Sequence, residues 1–408
     1  MHLLRTCSIV LFVLVISVWL TTCGGGSSSN IAPIPERLTF GGAGNLGIFD
    51  PSVTGDPGTN HLWMSYSSVD TSIHYVPSLY WAVSIRLAFS DDNGASWQDS
   101  GVVVAPKVEN FVGPMPLATP GIVAASKGIW QSETSSLLYD PLAPLTERWK
   151  LIWFQYLNAE LISYFADYSW IAMKMAASPQ ELETAVPVKL FGGAGLQSNN
   201  STTSLPVLSP IAGVPAIQLN ALTQAAGGAN LADLNLCVFA EPGLHATNTA
   251  IYLAIFCADA STAPITEYLV YFRCSRPCSM TTATSWEYLG RLLTPADAVA
   301  STGDDHFQAP ALVEKNGRTY LLVTPVDTTV ANRYDGCRVY EFVDVDTNQL
   351  RRSGGDLVEV ARVDGETGTH NGACSAYSGL DGGLLLSQFE VSAPTETFNL
   401  YKSQVELP

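Results

Sequence analysis

Three carboxylates hold positions that could support acid–base chemistry. Asp50, Glu133 and Glu241 each precede an apolar segment rich in aromatic and β-branched residues. Two carboxyl groups, one protonated and one ionised, can cleave a bond with water by general acid and general base catalysis. Because 83 and 108 residues separate the three (133−50 and 241−133), a repeating fold with a shared centre is needed to bring them together.

The order of a polar residue followed by an apolar strand recurs five times. The polar positions are Asp50, Glu133, Glu241, Gln308 and His370. Their spacing is too irregular for a short solenoid and is typical of sheet blades around an axis. The sequence therefore predicts an all-β, five-bladed β-propeller with repeat units at 38–105, 115–190, 231–295, 300–350 and 355–405.

Two segments leave details of this propeller open. Residues 193–230 are rich in Gly, Ser, Asn and Ala and are interpreted as a long inserted loop, with six blades as the alternative if they hide two strands. Residues 395–405 are predicted to form the last strand, which would close the ring by pairing with the first blade. The aromatic residues expected in the core are Trp63, Tyr66, Trp153, Tyr156 and Tyr252.

The N-terminus is predicted to be a targeting signal. Arg5 precedes an apolar run at 9–20, which is too short for a membrane span. The following Leu20-Thr21-Thr22-Cys23 resembles a bacterial lipobox, which implies acylation of Cys23 and an anchor in the outer membrane or at the cell surface. The predicted organisation is a signal peptide at 1–22, a flexible tether at 23–37 and one propeller domain at 38–408. An ordinary secretory signal is the alternative.

Charge argues against one class of partner. The chain has 37 acidic and 20 basic residues, a formal net charge of −17, and only 14% charged residues. Nucleic-acid binding needs clustered Lys and Arg side chains to displace counterions, so no nucleic-acid partner is expected. A carbohydrate partner is compatible with this composition.

Six cysteines remain when Cys7 and Cys23 are set aside, an even number that predicts disulfides in an oxidising compartment. The expected pairs are Cys237 with Cys257 across two strands, Cys274 with Cys278 around a tight loop, and Cys337 with Cys374 by elimination. A metal site at Cys274 and Cys278 is the alternative.

Residues 90–97, Ser-Asp-Asp-Asn-Gly-Ala-Ser-Trp, resemble the Asp-box of sialidase-like propellers. Asp92 and Asn93 can satisfy turn amides, Gly94 permits a positive φ, and Trp97 can pack beneath the hairpin. The motif predicts a propeller hairpin and carries little information about chemistry.

The segments around Asp50, Glu133 and Glu241 resemble the blade starts of five-bladed propeller glycosidases, the arabinanase/xylosidase-like glycoside hydrolase family 43 and the invertase-like enzymes. This resemblance implies a glycoside hydrolase with one acidic residue from each of the first three blades. Asp50 would be the base, Glu241 the acid, and Glu133 a third carboxylate that orients the acid and raises its pKa, with inversion of configuration. Asp140 is the alternative to Glu133.

The same resemblance gives further residues a role. His370 would help to hold a central cation, a structural Ca²⁺ near the axis, or would act as an axial hydrogen-bonding group. His245, His306 and Gln308 lie near blade starts and are predicted to bind substrate. No cofactor is required for the chemistry.

Two other functions remain open from the sequence. One is a surface propeller that binds carbohydrate or a protein partner without catalysis. The other is a sialidase-like hydrolase, which needs an arginine cluster to bind a carboxylate. Arg86, Arg273 and Arg338 are the candidates for that cluster, and Arg86 is also a candidate substrate-binding residue.

Overall fold

Five β-sheets surround a common axis and form a five-bladed β-propeller. The strands nearest the axis contact one another from blade to blade, and that of the fifth blade contacts that of the first, so the ring is closed. The predicted all-β, five-bladed propeller is therefore confirmed, and the closed ring leaves no place for a sixth blade. The computed structural model describes residues 36–41, 44–56, 58–59, 61–71, 82–114, 122–159, 162–192, 211, 215–225, 229–235, 237–259, 262, 264–330, 333–364, 370–377, 383–392 and 395–408.

The first three blades contain four, five and five strands. Blade 1 consists of β2 (Gly47–Asp56), β3 (His61–Asp70), β4 (Ala82–Ser90) and β5 (Gln98–Val104). Blade 2 consists of β6 (Lys107–Pro114), β7 (Ile122–Tyr139), β8 (Trp149–Ala159), β9 (Ile162–Ala176) and β10 (Val188–Gly192). Blade 3 consists of β11 (Thr223–Gln224), β12 (Cys237–Ala246), β13 (Ala250–Asp259), β14 (Thr266–Ser275) and β15 (Trp286–Leu293).

The last two blades differ from the predicted units. Blade 4 consists of β16 (His306–Lys315), β17 (Arg318–Asp327), β18 (Arg333–Tyr334), β19 (Cys337–Asp344), β20 (Gln349–Leu350) and β23 (Glu359–Val363), with a small hairpin of β21 (Arg352–Ser353) and β22 (Asp356–Leu357). Blade 5 consists of β24 (His370–Ser375), β25 (Leu385–Ser392), β26 (Thr395–Lys402) and β1 (Glu36–Arg37). The predicted boundary at 350–355 was wrong, because β23 pairs with β19 and belongs to blade 4.

The N-terminal strand closes the ring. β1 pairs with β26 at the outer edge of blade 5, so the last strand is joined by the start of the chain and not by the sheet of blade 1. The prediction that the last strand pairs with blade 1 was wrong in this respect. The insertion at 193–230 contributes one described strand, β11, which runs parallel to β15.

Helices are short in the described part of the chain. The α-helix α1 (Pro295–Ser301) begins with a capping box in which Thr294 and Asp297 satisfy each other's amides. The 3₁₀ helices are Leu145–Glu147, Gln180–Leu182, Leu219–Ala221, Leu231–Leu234, Ala283–Ser285 and Thr328–Val330. Within the described ranges, no helix has the length and apolar composition needed to cross a membrane.

Apolar faces of neighbouring blades form the core. The largest cluster runs through blades 2, 3 and 4, and the core aromatics Trp63, Tyr66, Trp153, Tyr156 and Tyr252 are all buried, as predicted. The turn between β4 and β5 also forms as expected. Ser96 donates its amide to Asp92 at 2.8 Å, Asn93 has φ 58°, and Trp97 packs in the core of blade 1.

Candidate active site

A bulge interrupts the strand nearest the axis in every blade at the same place; these strands are β2, β7, β12, β16 and β24. The five bulge residues, Asp50, Thr134, Glu241, Ala309 and Ala373, all have φ between 47° and 53°. Each coincides with a shift in the pairing register of its strand. A bulge bends a strand and re-aims its side chains. Ala309 and Ala373 have the same conformation although they carry no carboxylate. The conformation is therefore a feature of every blade and does not depend on an acidic residue at the bulge.

The bulges bring the three predicted carboxylates together. Asp50, Glu133 and Glu241 line one cavity of about 250 Å³ at the propeller axis. Tyr156 and Tyr334 contribute to the same wall, and the remaining lining residues are Phe49, Val69, Val83, Thr134, Ala309, Gly372, Ala373, Ser387 and Phe398. A second space of about 30 Å³, room for about one water, lies along the axis between the bulges.

Asp50 is buried, and the Ser67 hydroxyl donates to its Oδ2 at 3.2 Å. The Thr134 amide donates to Ser67 Oγ at 3.1 Å. Burial, followed by the charges of Glu133 and Glu241, raises the pKa of Asp50 well above its ordinary value, against the opposing effect of the Ser67 hydroxyl and the nearby Thr134 amide.

Glu133 and Glu241 are partly buried and behave similarly. Burial and the charge of Glu241 raise the pKa of Glu133 to about 7, opposed by a hydrogen bond from Tyr156. Burial raises the pKa of Glu241 to about 7, opposed by the Ala309 amide, which donates to Glu241 Oε2 at 2.7 Å. Three carboxyl groups in one poorly solvated cavity cannot all be ionised at neutral pH, so the site keeps at least one proton available.

Two residues of this site were missed by the sequence interpretation. Tyr334 lies near all the carboxylates of the cavity, and burial followed by their charges raises the pKa of its phenol well above the ordinary value. It therefore stays a neutral hydrogen-bond donor. Glu267, on β14, lies near enough to Glu241 to raise the pKa of that residue. Neither residue is one of the five recurring polar positions, so the repeat pattern contains no signal for them.

Glu267 connects the cavity to two predicted substrate-binding residues. Its Oε2 lies 3.2 Å from His306 Nδ1, and His306 Nε2 lies 2.9 Å from the amide nitrogen of Gln308. Gln308 immediately precedes a bulge residue, as Glu133 does. His306 thus contacts Glu267, and Gln308 contacts His306 and precedes Ala309, which lines the cavity.

Two other predicted substrate-binding residues lie elsewhere. His245 is four residues past the bulge of β12, is buried between blades 3 and 4, and has its Nε2 3.9 Å from Glu314. Arg86 binds Asp99 through two hydrogen bonds on the outer strands of blade 1. Neither residue lines the cavity, since β12 carries His245 away from it and Asp99 already binds the guanidinium of Arg86.

The structure decides between Glu133 and Asp140. Asp140 accepts two hydrogen bonds from the Arg276 guanidinium, at 2.7 and 2.8 Å, and lies 3.6 Å from Lys150 Nζ. Burial raises the pKa of Asp140, but Arg276 and Lys150 outweigh it and the net effect lowers that pKa. Asp140 is thus the anion of a buried ion pair, and Glu133 is the second-blade carboxylate of the cavity.

The sialidase alternative loses its arginine cluster. Among the described residues, no arginine lines the cavity. Arg273 pairs with Glu287 and Asp346, and Arg338 lies in an ion-pair network of blade 4.

One prediction about cysteines differs from the structure, and one about a cation stays a prediction. No group of three or more His, Cys, Asp or Glu side chains that could hold a metal ion occurs in the described ranges, and the metal role of His370 stays a prediction. Cys337 and Cys374 are buried thiols in hydrogen-bond contact and not a disulfide. The other two pairs, Cys237–Cys257 and Cys274–Cys278, are bonded as predicted. Cys23 lies outside the described residues.

Comparisons with known proteins find similarity at the level of structure. No family model matches the chain, and no curated protein sequence matches it. Among solved structures, Zg3597, a family 117 glycoside hydrolase of Zobellia galactanivorans, is 14% identical over 91% of this chain and 90% of that chain, with a TM-score of 0.47. The Bacillus subtilis arabinanase Arb43A is 13% identical over 89% and 96%, with a TM-score of 0.44. The endo-arabinase of Bacteroides thetaiotaomicron is 13% identical over 91% and 96%, with a TM-score of 0.42. At these values the similarity says nothing about individual residues.

Proposed function

We propose that this chain is a glycoside hydrolase that inverts configuration at the anomeric carbon. The observation that carries the proposal is the convergence of Asp50, Glu133 and Glu241, from three successive blades, on one buried cavity at the axis. Hydrolysis with inversion needs a protonated carboxyl on one side of the bond and an ionised carboxylate that activates water on the other.

The proposal keeps the roles that the resemblance in the sequence implies. Glu241 donates its proton to the glycosidic oxygen, and its pKa of about 7 keeps that proton available near neutral pH. Asp50 accepts a proton from the water that attacks the anomeric carbon. When Glu133 and Glu241 are both protonated they no longer repel a charge on Asp50, and the Ser67 hydroxyl donates to the anion. Glu133 provides the third carboxyl group of the cavity, and the charge of Glu241 acts on it.

The test is hydrolysis of a panel of oligosaccharides and aryl glycosides by the purified chain and its Glu241→Gln variant. General acid catalysis contributes about 10²- to 10⁴-fold, so the variant should lose turnover to that extent and still bind the sugar in calorimetry. Glu314→Gln, on β16 but outside the cavity, is the control and should keep full activity. Sugar binding without turnover in the unaltered chain would favour the non-catalytic binding propeller.

We further propose that the protein works outside the cytoplasm, held to a bacterial envelope by lipid on Cys23. The lipobox-like segment supports this proposal, as do two disulfides, which persist in oxidising compartments. Expression with a labelled fatty acid should label the unaltered chain and leave Cys23→Ala unlabelled. Equal labelling of both would contradict the proposed anchor.

A further inference from the structure

Two phenylalanines lie in the wall of the axial cavity. Phe49 is on β2 of blade 1 and Phe398 is on β26 of blade 5, and both line the cavity that contains the three carboxylates. Their ring centroids are 4.9 Å apart, with 33° between the ring planes, and both residues remain partly exposed. An apolar surface left exposed inside a polar cavity is typical of a binding site, because in the core the same rings would be fully buried.

The fold does not require a phenylalanine at position 49. Phe49 immediately precedes the bulge residue of its strand, and the equivalent residues of the other four blades are Glu133, Ala240, Gln308 and Gly372. These residues share neither size nor polarity, yet every blade forms the same bulge. Packing of the bulge therefore does not explain the aromatic ring of Phe49, whereas a role in the cavity does.

Phe398 reaches the cavity because a glycine lets its strand approach blade 1. The Phe398 amide donates to the Leu46 carbonyl at 2.7 Å. Gly47 has φ 109°, and a Cβ at this position would clash with the Phe398 carbonyl oxygen. A larger residue would displace β26, so Gly47 holds Phe398 at the start of β2 and brings the two rings together.

The cavity has an apolar side and a polar side. Among the described lining residues, the Phe and Val side chains all belong to blades 1 and 5: Phe49, Val69, Val83 and Phe398. Blades 2, 3 and 4 provide the polar groups Glu133, Glu241 and Tyr334. A sugar ring is divided in the same way, with C–H groups on its faces and hydroxyl groups around its edge. The C–H groups can pack on the negative face of an aromatic ring while the hydroxyl groups bind polar side chains.

Negative charge dominates the polar side. The charges of Asp50, Glu133, Glu241 and Glu267 all act on the Tyr334 phenol. Among the described side chains that line the cavity, none carries a positive charge. A sugar with its own carboxylate or sulfate would bring a further negative charge to this side without a partner, which weakens binding. The hydroxyl groups of an uncharged sugar can instead donate to a carboxylate and accept from a protonated one.

We propose that Phe49 and Phe398 form a platform that binds the C–H face of an uncharged sugar ring and directs the hydroxyl groups of that ring toward Glu133, Glu241 and Tyr334. Both phenylalanines bind the sugar and take no part in proton transfer. This inference deepens the proposed function, because it names the class of sugar and the residues that orient it, and it rests on that function for a sugar as the ligand.

The experiment uses fluorine NMR on the full chain with fluorinated phenylalanine and the Glu241→Gln substitution, so that bound sugars are not hydrolysed. Phe49→Tyr and Phe398→Tyr each remove one fluorine signal and thereby assign it, while they keep an aromatic ring in place. The probes are methyl glycosides of glucose, galactose, xylose, fucose and arabinose, with those of glucuronic and galacturonic acid as charged counterparts. A sugar that binds should shift the Phe49 and Phe398 signals. The signal of Phe89, a partly exposed residue of blade 1 that packs on Trp63 outside the cavity, is the control and should not shift.

Calorimetry measures the affinity in the same background. Phe49→Ala and Phe398→Ala should each weaken binding of an uncharged sugar about tenfold, because each removes apolar contact, and Phe89→Ala should leave the affinity unchanged. A uronic acid should bind at least about tenfold more weakly than its uncharged counterpart. The fluorine measurement relies on the tyrosine variants, so it decides the question even where an alanine variant fails to fold.

The inference would be overturned if no sugar of the panel shifts the Phe49 and Phe398 signals, or if a uronic acid binds as tightly as its uncharged counterpart. Sugar binding that shifts both signals, without hydrolysis by the unaltered chain, would refute the proposed function and leave this inference intact. Hydrolysis of a sugar that shifts neither signal would overturn this inference alone.

Discussion

Replacing Glu241 by Gln should stabilise the fold at alkaline pH. The carboxyl of Glu241 has a pKa of about 7 in the folded chain against an ordinary value of 4.5. A group with a raised folded pKa contributes stability that is fully present below the unfolded pKa and is lost as pH rises through the folded pKa. The difference of 2.5 corresponds to about 3 kcal/mol at about 1.4 kcal/mol for each pH unit.

Glutamine removes this penalty because it stays neutral, and its carbonyl oxygen can still accept the Ala309 amide. At pH 4 the variant and the unaltered chain should unfold at similar temperatures. At pH 8 the variant should be more stable by up to about 3 kcal/mol, or about 4 °C for a domain with about 2.1 cal/mol/K of unfolding entropy per residue.

The assay is differential scanning calorimetry from pH 4 to pH 9. Asp140→Asn is the matched control, and its effect on stability should have the opposite sign. Arg276 and Lys150 lower the pKa of Asp140, so the loss of its charge should destabilise the fold by about 3 kcal/mol at neutral pH. A Glu241→Gln variant that is less stable at pH 8, or whose difference from the unaltered chain does not change with pH, would refute the reasoning about burial.

Three further outcomes are expected. Gly243→Ala should destabilise the junction of blades 3 and 4, because its Cβ would lie 2.3 Å from the Pro310 carbonyl oxygen, and a lowered midpoint in urea denaturation is the measure. Cys337 and Cys374 should react with a thiol reagent only after unfolding, whereas a disulfide-linked peptide containing both would contradict the structure. If the chain hydrolyses a glycoside, kcat/KM should fall about tenfold per pH unit above about pH 7 as the acid ionises, and a rate still rising at pH 9 would be incompatible with Glu241 as the acid.

Much of the architecture follows from local patterns. Strand periodicity, the polar blade starts and the turn at 90–97 act over a few residues, so the sequence alone predicts five blades and the carboxylates Asp50 and Glu241 at their starts. Two of the three predicted disulfides form. Each of these two pairs was predictable because its cysteines are close in sequence, on neighbouring strands or around one loop.

The remaining features depend on contacts between blades. The choice of Glu133 over Asp140 depends on Arg276, which comes from another blade. The boundary of blade 4 depends on the pairing of β23 with β19, and the closure of the ring depends on β1. No short-range pattern encodes such partners, since they are separated by many residues along the chain.

The sequence by itself determined the kind of fold and which blade starts carry acids. The tertiary structure decided which of those acids share a cavity, and it alone showed that the Ser67 hydroxyl donates to Asp50 and the Ala309 amide to Glu241. The physical reason is that protonation depends on burial and on hydrogen bonds from neighbouring blades, and both arise only when the ring is closed.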